Sequence, residues 1–253
     1  MADSLISLRV LADLEEIARA AAEEVVRLAG EAMRAHGRFT LALSGGSTPR
    51  ALFRLLAQLS DRIDWSAVHV FWGDERHVPP DHEDSNYRMA RETLLDHVPI
   101  PAANIHRIAG EDPDAAQAAA LYEDDLAASF ALAPRQLPRF DLVLLGLGPE
   151  GHTASLFPGS PVLHERERRV AAPFVPKLSA HRITLTPPVL NHAAAVIFLV
   201  SGADKAAALA AVVEGDRNVD LYPAQIVRPE HGTLLWLVDR AARGGAAESA
   251  KAE

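Results

Sequence analysis

Cysteine is missing from all 253 residues. That excludes disulfides, thiolate catalysis and cysteine-ligated zinc, and it fits a reducing cytoplasm, the expected location. Long apolar runs are also missing. Stretches such as AAAVIFLV (193–200) are far too short to cross a bilayer, so no membrane partner is expected. The first thirty residues carry acids throughout and lack the basic start and solid apolar block of a secretory leader. No Lys/Arg run interrupts a net charge of −9, a balance that repels nucleic acid. The nucleotide P-loop spacing GxxxxGK[ST] is absent, and so are internal repeats and clear linkers.

What is present is a substantial apolar fraction, 49%, with mean hydropathy +0.02. These values describe a soluble globular chain. Residues 1–38 read as an amphipathic helix packed on a single domain spanning 1–240, and 241–253 as a flexible tail. Between them, short apolar runs alternate with helical stretches. FTLAL, VHVFWG, DLVLLGLG, RITLT, AAVIFLV and TLLWLVD read as strands, and helices are expected near 47–59, 86–95, 114–133 and 203–213. Solid apolar strands alternating with helices predict an α/β fold, a Rossmann-like open, mainly parallel sheet with helices on both faces. Ligands of such sheets sit outside the carboxyl ends of the strands, which directs attention to the polar loops there.

Four loops stand out. LSGGSTPR (43–50) offers Ser44, Gly45, Gly46 and Ser47 before a helix, a cradle suited to phosphate, although an ordinary capped strand–helix turn is the competing account. WGDERHVPPDHEDSNYRMA (72–90) sets Asp74, Glu75 and Arg76 at a strand end. Its acidic stretch 81–84 has no second ligand cluster at metal spacing and reads as a solvated loop. LGLGPEGHTASLFPG (145–159) places His152 in a glycine turn, a setting suited to proton transfer because imidazole titrates near neutrality. Its partial GxGxxG match lacks the later acid of a dinucleotide site. Finally Arg182 enters a strand and Lys205 starts a helix, where a lysine opposes the helix dipole unless an anion is bound there.

Taken in this order, LSGGSTPR, WGDERHVPPDHEDSNYRMA, LLGLGPEGHTASLFPG, RITLT and SGADKA resemble the 6-phosphogluconolactonase family over about residues 39–238. The resemblance implies the fold shared with glucosamine-6-phosphate deaminases and ribose-5-phosphate isomerases. It implies hydrolysis of 6-phosphoglucono-1,5-lactone to 6-phosphogluconate, the second step of the oxidative pentose phosphate pathway, without metal or organic cofactor. His152 would be the general base, Arg76 a helper at the carbonyl or its oxyanion, and Asp74 a partner of His152 or of a sugar hydroxyl. Ser44, Gly45, Gly46 and Ser47 would hold phosphate with Arg182 and Lys205. Glu150 stands where the family usually has Asp, two residues before the histidine. The expected partner is therefore a small phosphorylated sugar lactone, bound by a monomer or weak homo-oligomer. Two alternatives remain at this level: a deaminase of the same fold, whose motif continues toward HIAFNEP where this chain has HTASLFP, and a non-catalytic sugar-phosphate sensor.

Overall fold

The first 38 residues, expected as one helix, divide at Asp13. A computed structural model describes residues 5–245, and in it strand β1 (Leu5–Leu11) precedes helix α1 (Leu14–His36). ISLRVL is aliphatic enough to extend the apolar stripe of α1 in sequence, but it forms a strand. Its actual role is to cover the edge of the last core strand, in parallel register from Leu5 opposite Thr233 to Leu11 opposite Asp239. Asp13 makes the boundary: its side chain accepts the Glu16 N–H at 2.9 Å, which caps α1. Ile17, Ala21, Val25 and Ala29, four residues apart, form the buried stripe of that helix.

With β1, the strands β2 (Phe39–Leu43), β3 (Val68–Trp72), β5 (Leu142–Gly146), β9 (Ala195–Val200) and β10 (Thr233–Asp239) form the core. They make a six-stranded sheet of order β1–β10–β9–β5–β2–β3, parallel at every pairing. Every residue of β2 and β9 is buried, as their solid apolar sequences require of strands covered on both faces. The remaining helices are α2 (Ser47–Gln58), α3 (Asn86–Thr93), α4 (Ala115–Ser129), α5 (Pro187–His192) and α6 (Ala206–Val213). No described helix is long and apolar enough to cross a membrane.

A second, smaller sheet sits at the carboxyl end of the first. It comprises β4 (Asp74–Arg76), β6 (Val170–Ala171), β7 (Phe174–Val175) and β8 (Ala180–Leu185), all paired antiparallel. RITLT thus belongs here and not in the parallel core. It is reached through the β7–β8 hairpin, whereas a parallel neighbour would need a helical crossover. The Leu185 N–H joins the two sheets by donating to the Gly73 carbonyl at 2.8 Å. Within the stretch expected as a tail, residues 241–245 are held: Ala242 is buried and its N–H donates to Asp239 Oδ1 at 2.6 Å, and the Gly245 N–H donates to the Arg240 carbonyl at 2.9 Å; residues 246–253 lie outside the described residues.

The strand order fixes where a ligand can enter. From β2 the chain moves outward to β3, then returns to lay β5 on the other side of β2. This reversal opens a crevice between the loops that leave β2 and β5.

Candidate active site

Those two loops form opposite walls of a cleft with a cavity volume of about 230 Å³. Ser44, Gly45, Gly46 and Ser47 line one wall, and Gly148 and His152 the other. Asp74 and Arg76 approach from β4, and Lys205 from the start of α6. Nine of the ten residues singled out for the site are therefore in this cleft or its loops. Arg182 is not on the cleft wall. It lies opposite Arg76 in the β4–β8 pairing, where burial and the neighbouring Arg76 charge press its pKa down.

The first loop is built to leave polar groups available. Gly46 has φ +106° and caps α2 without a side-chain bond to the first-turn N–H groups, so the capped-turn account fails. The Ser44 hydroxyl is buried and has no partner within the protein. Gly45 is required by proximity: a β-carbon there would stand 1.9 Å from Asn86 Oδ1. Asn86, which carries no sequence signal of its own, donates from Nδ2 to the Asp74 carbonyl at 2.9 Å. The Asp74 carboxylate accepts the Ser155 hydroxyl at 2.7 Å and makes no hydrogen bond to His152.

The second loop folds back on itself immediately after β5. The Gly151 N–H donates to the Gly148 carbonyl at 2.9 Å, and the Gly148 N–H to the His152 carbonyl at 2.8 Å. Gly151 adopts φ +83°, and Tyr222 stands close enough to exclude a side chain there. The Thr153 hydroxyl ties the turn to the Gly146 carbonyl at 2.8 Å. The result is a fixed imidazole, about one quarter exposed, stacked on Phe157 with ring centroids 4.4 Å apart.

The electrostatics keep that imidazole neutral. Burial lowers its pKa, and the Lys205 charge acts the same way, while the Glu150 and Asp74 charges oppose them without prevailing. Glu150 Oε2 stands 3.2 Å from Nδ1, an ion-pair distance that lacks hydrogen-bond alignment. A carboxylate on this side favours the tautomer with hydrogen on Nδ1, leaving the lone pair on Nε2 for a water in the cleft. Burial alone would raise the Glu150 carboxyl, but the Lys177 ammonium at 2.7 Å, with help from His152, holds it down at about 2. Lys177 gave no sequence signal, since it lies in an ordinary turn of the second sheet. Lys205 pairs with the exposed Asp204 at 2.9 Å.

A neutral imidazole facing a glycine–serine loop and a lysine is an arrangement able to activate water beside a bound anion. The family model described as glucosamine-6-phosphate isomerases/6-phosphogluconolactonase matches residues 12–236. A 6-phosphogluconolactonase of Nostoc sp. is 47% identical over 211 residues, covering 83% of this chain and 86% of that protein. One from Mycobacterium tuberculosis is 43% identical, covering 92% and 96%. The solved structure of a 6-phosphogluconolactonase from Trypanosoma cruzi superposes with a TM-score of 0.84 at 30% identity, covering 96% of this chain and 98% of the other. The chain belongs to the glucosamine-6-phosphate isomerase/6-phosphogluconolactonase family.

Proposed function

We infer that this protein hydrolyses 6-phosphoglucono-1,5-lactone to 6-phosphogluconate, with His152 as the general base. The observation that carries the reading is the largely buried imidazole at the carboxyl end of β5, across the switch-point cleft from the Ser44–Ser47 loop, with burial lowering its pKa. Water attacks the lactone carbonyl carbon while His152 takes one of its protons. The carbonyl becomes a tetrahedral oxyanion, for which Arg76 supplies positive charge. On collapse the bond from the carbonyl carbon to the ring oxygen breaks. The departing ring oxygen receives the proton from His152, and the product is an open-chain acid. Asp74, oriented by Ser155 and Asn86, accepts a substrate hydroxyl, and Glu150 sets the His152 tautomer.

The phosphate lies against Ser44, Gly45, Gly46 and Ser47, with Lys205 as a point charge and Arg182 closing from the rim. This gathers cations locally on a protein of net charge −9. A small phosphorylated lactone needs no nucleic acid or membrane, and the reaction suits a monomer or weak homo-oligomer in the cytoplasm. The deaminase alternative loses ground because the turn continues as HTASLFP, without the acid of that reaction.

The test is turnover of freshly generated lactone, with spontaneous hydrolysis subtracted. His152→Ala should lower kcat by about 10²–10⁴-fold with little change in binding. Turnover equal to background in the wild type would overturn the reaction, and unchanged turnover in the variant would overturn the base.

A further inference from the structure

The Glu150 carboxylate is shared between two elements. One oxygen, Oε2, confronts His152 Nδ1 at 3.2 Å on the loop after β5. The other, Oε1, accepts from Lys177 Nζ at 2.7 Å, and Lys177 sits in the turn that joins β7 to β8. That turn is stiff. Pro176 opens it, and Ser179 closes it in the left-handed region at φ 49°, its N–H donating to the Pro176 carbonyl at 3.1 Å. Glu150 is itself confined between Pro149 and the Gly148–Gly151 turn. The lysine side chain is 68% exposed and the carboxylate 26%, so the contact is not part of the core.

We propose that Lys177 is a positioning residue for the hydrolysis, holding Glu150 so that its carboxylate faces His152 without bonding it and leaves the imidazole a neutral base. The inference rests on the reading of His152 as that base. A buried imidazole beside an unrestrained carboxylate would form an aligned hydrogen bond on protonation, and the ion pair would favour the charged form, which cannot accept a proton from water. Lys177 opposes this by occupying one oxygen and fixing the direction of the other. The charges facing the imidazole are Glu150 from its own loop, Asp74 from β4 and Lys205 from the start of α6. Asp74 is held by Ser155 and Lys205 pairs with Asp204, whereas Glu150, at 3.2 Å from Nδ1, is held by Lys177. Without Lys177 the cation left beside the carboxylate is the imidazolium itself. The same hairpin carries Arg182 on β8.

The experiment is an NMR titration of the His152 ring protons in the full chain, run beside the pH profile of kcat/KM for the lactone. It compares wild type, Lys177→Met, Lys177→Arg, Glu150→Gln and the double variant Lys177→Met/Glu150→Gln. Lys177→Met should raise the His152 midpoint by about half to one pH unit and move the acid limb of kcat/KM with it. Lys177→Arg should restore the wild-type midpoint. In the Glu150→Gln background, Lys177→Met should add no further shift. An unchanged midpoint in Lys177→Met, or an equal shift in the Glu150→Gln background, overturns the proposal. Wild-type hydrolysis at the spontaneous rate would overturn the lactonase reading instead, and the NMR comparison would still decide the role of Lys177.

Discussion

Gly148 and His152 occupy one space: a β-carbon on residue 148 would stand 1.9 Å from His152 Nδ1. The glycine is therefore the seat of the imidazole. Gly148→Ala should push the ring off its stack on Phe157 and lower kcat by about 100-fold or more, since misplacement by roughly 1 Å costs that much. Folding should survive, because the ring can swing into the cleft. A variant with wild-type turnover would show that the ring position seen here is not the reactive one.

The pH dependence follows from the same burial. A base must be neutral to accept a proton, and burial lowers the pKa of His152 below its ordinary value of about 6.5. The neutral form is thus retained as the pH falls toward that value, and activity is lost only below it. The acid limb of kcat/KM should therefore inflect below about pH 6.5. An inflection above neutrality would mean that the pair with Glu150 dominates burial.

The legible parts of the molecule were those whose physics is local. FTLAL and AAVIFLV announce themselves as strands because both faces are buried, and the glycines around His152 mark a turn wherever it lies. The unreadable parts depend on partners far along the chain. LISLRVL is a strand because β10, more than two hundred residues later, offers it an edge. RITLT is plainly extended, but only its pairing with Asp74–Arg76 decides which sheet it joins. Asn86 matters because Gly45 has no side chain to keep it away, and Lys177 because a hairpin brings it to Glu150. Neither contact has any signature at its own position.

Phosphate recognition gives a separate prediction. Lys205 lines the cleft and its exposed partner Asp204 is easily exchanged for an anionic ligand. Lys205→Ala should lower kcat/KM for the phosphorylated lactone by about tenfold or more, the worth of a charge-assisted contact. The loss should fall mainly on KM. Unphosphorylated gluconolactone should be hydrolysed equally by both proteins. Should the variant lose as much on the unphosphorylated substrate, Lys205 would be acting on the carbonyl or on His152 and not on phosphate.

Glu75 lies beside the site without being assigned a chemical role, and its bonds explain why an acid is needed there. It is 2% exposed, and its carboxylate accepts the backbone N–H groups of Arg76, Asn86 and Tyr87 at 2.7–2.8 Å, with the Ser85 hydroxyl at 3.2 Å. It thereby starts α3 and fixes Asn86, which in turn holds Asp74. Glu75→Ala would leave three buried N–H groups without an acceptor, a loss of about 2–4 kcal/mol. In a chain of this size that lowers Tm by about 4–10 °C, measurable by calorimetry. Glu75→Gln should recover only part of it, because an amide offers one acceptor oxygen and would point its own N–H at the others. Equal Tm values for all three proteins would mean that water replaces the carboxylate at no cost, and that Asn86 is held by α3 alone.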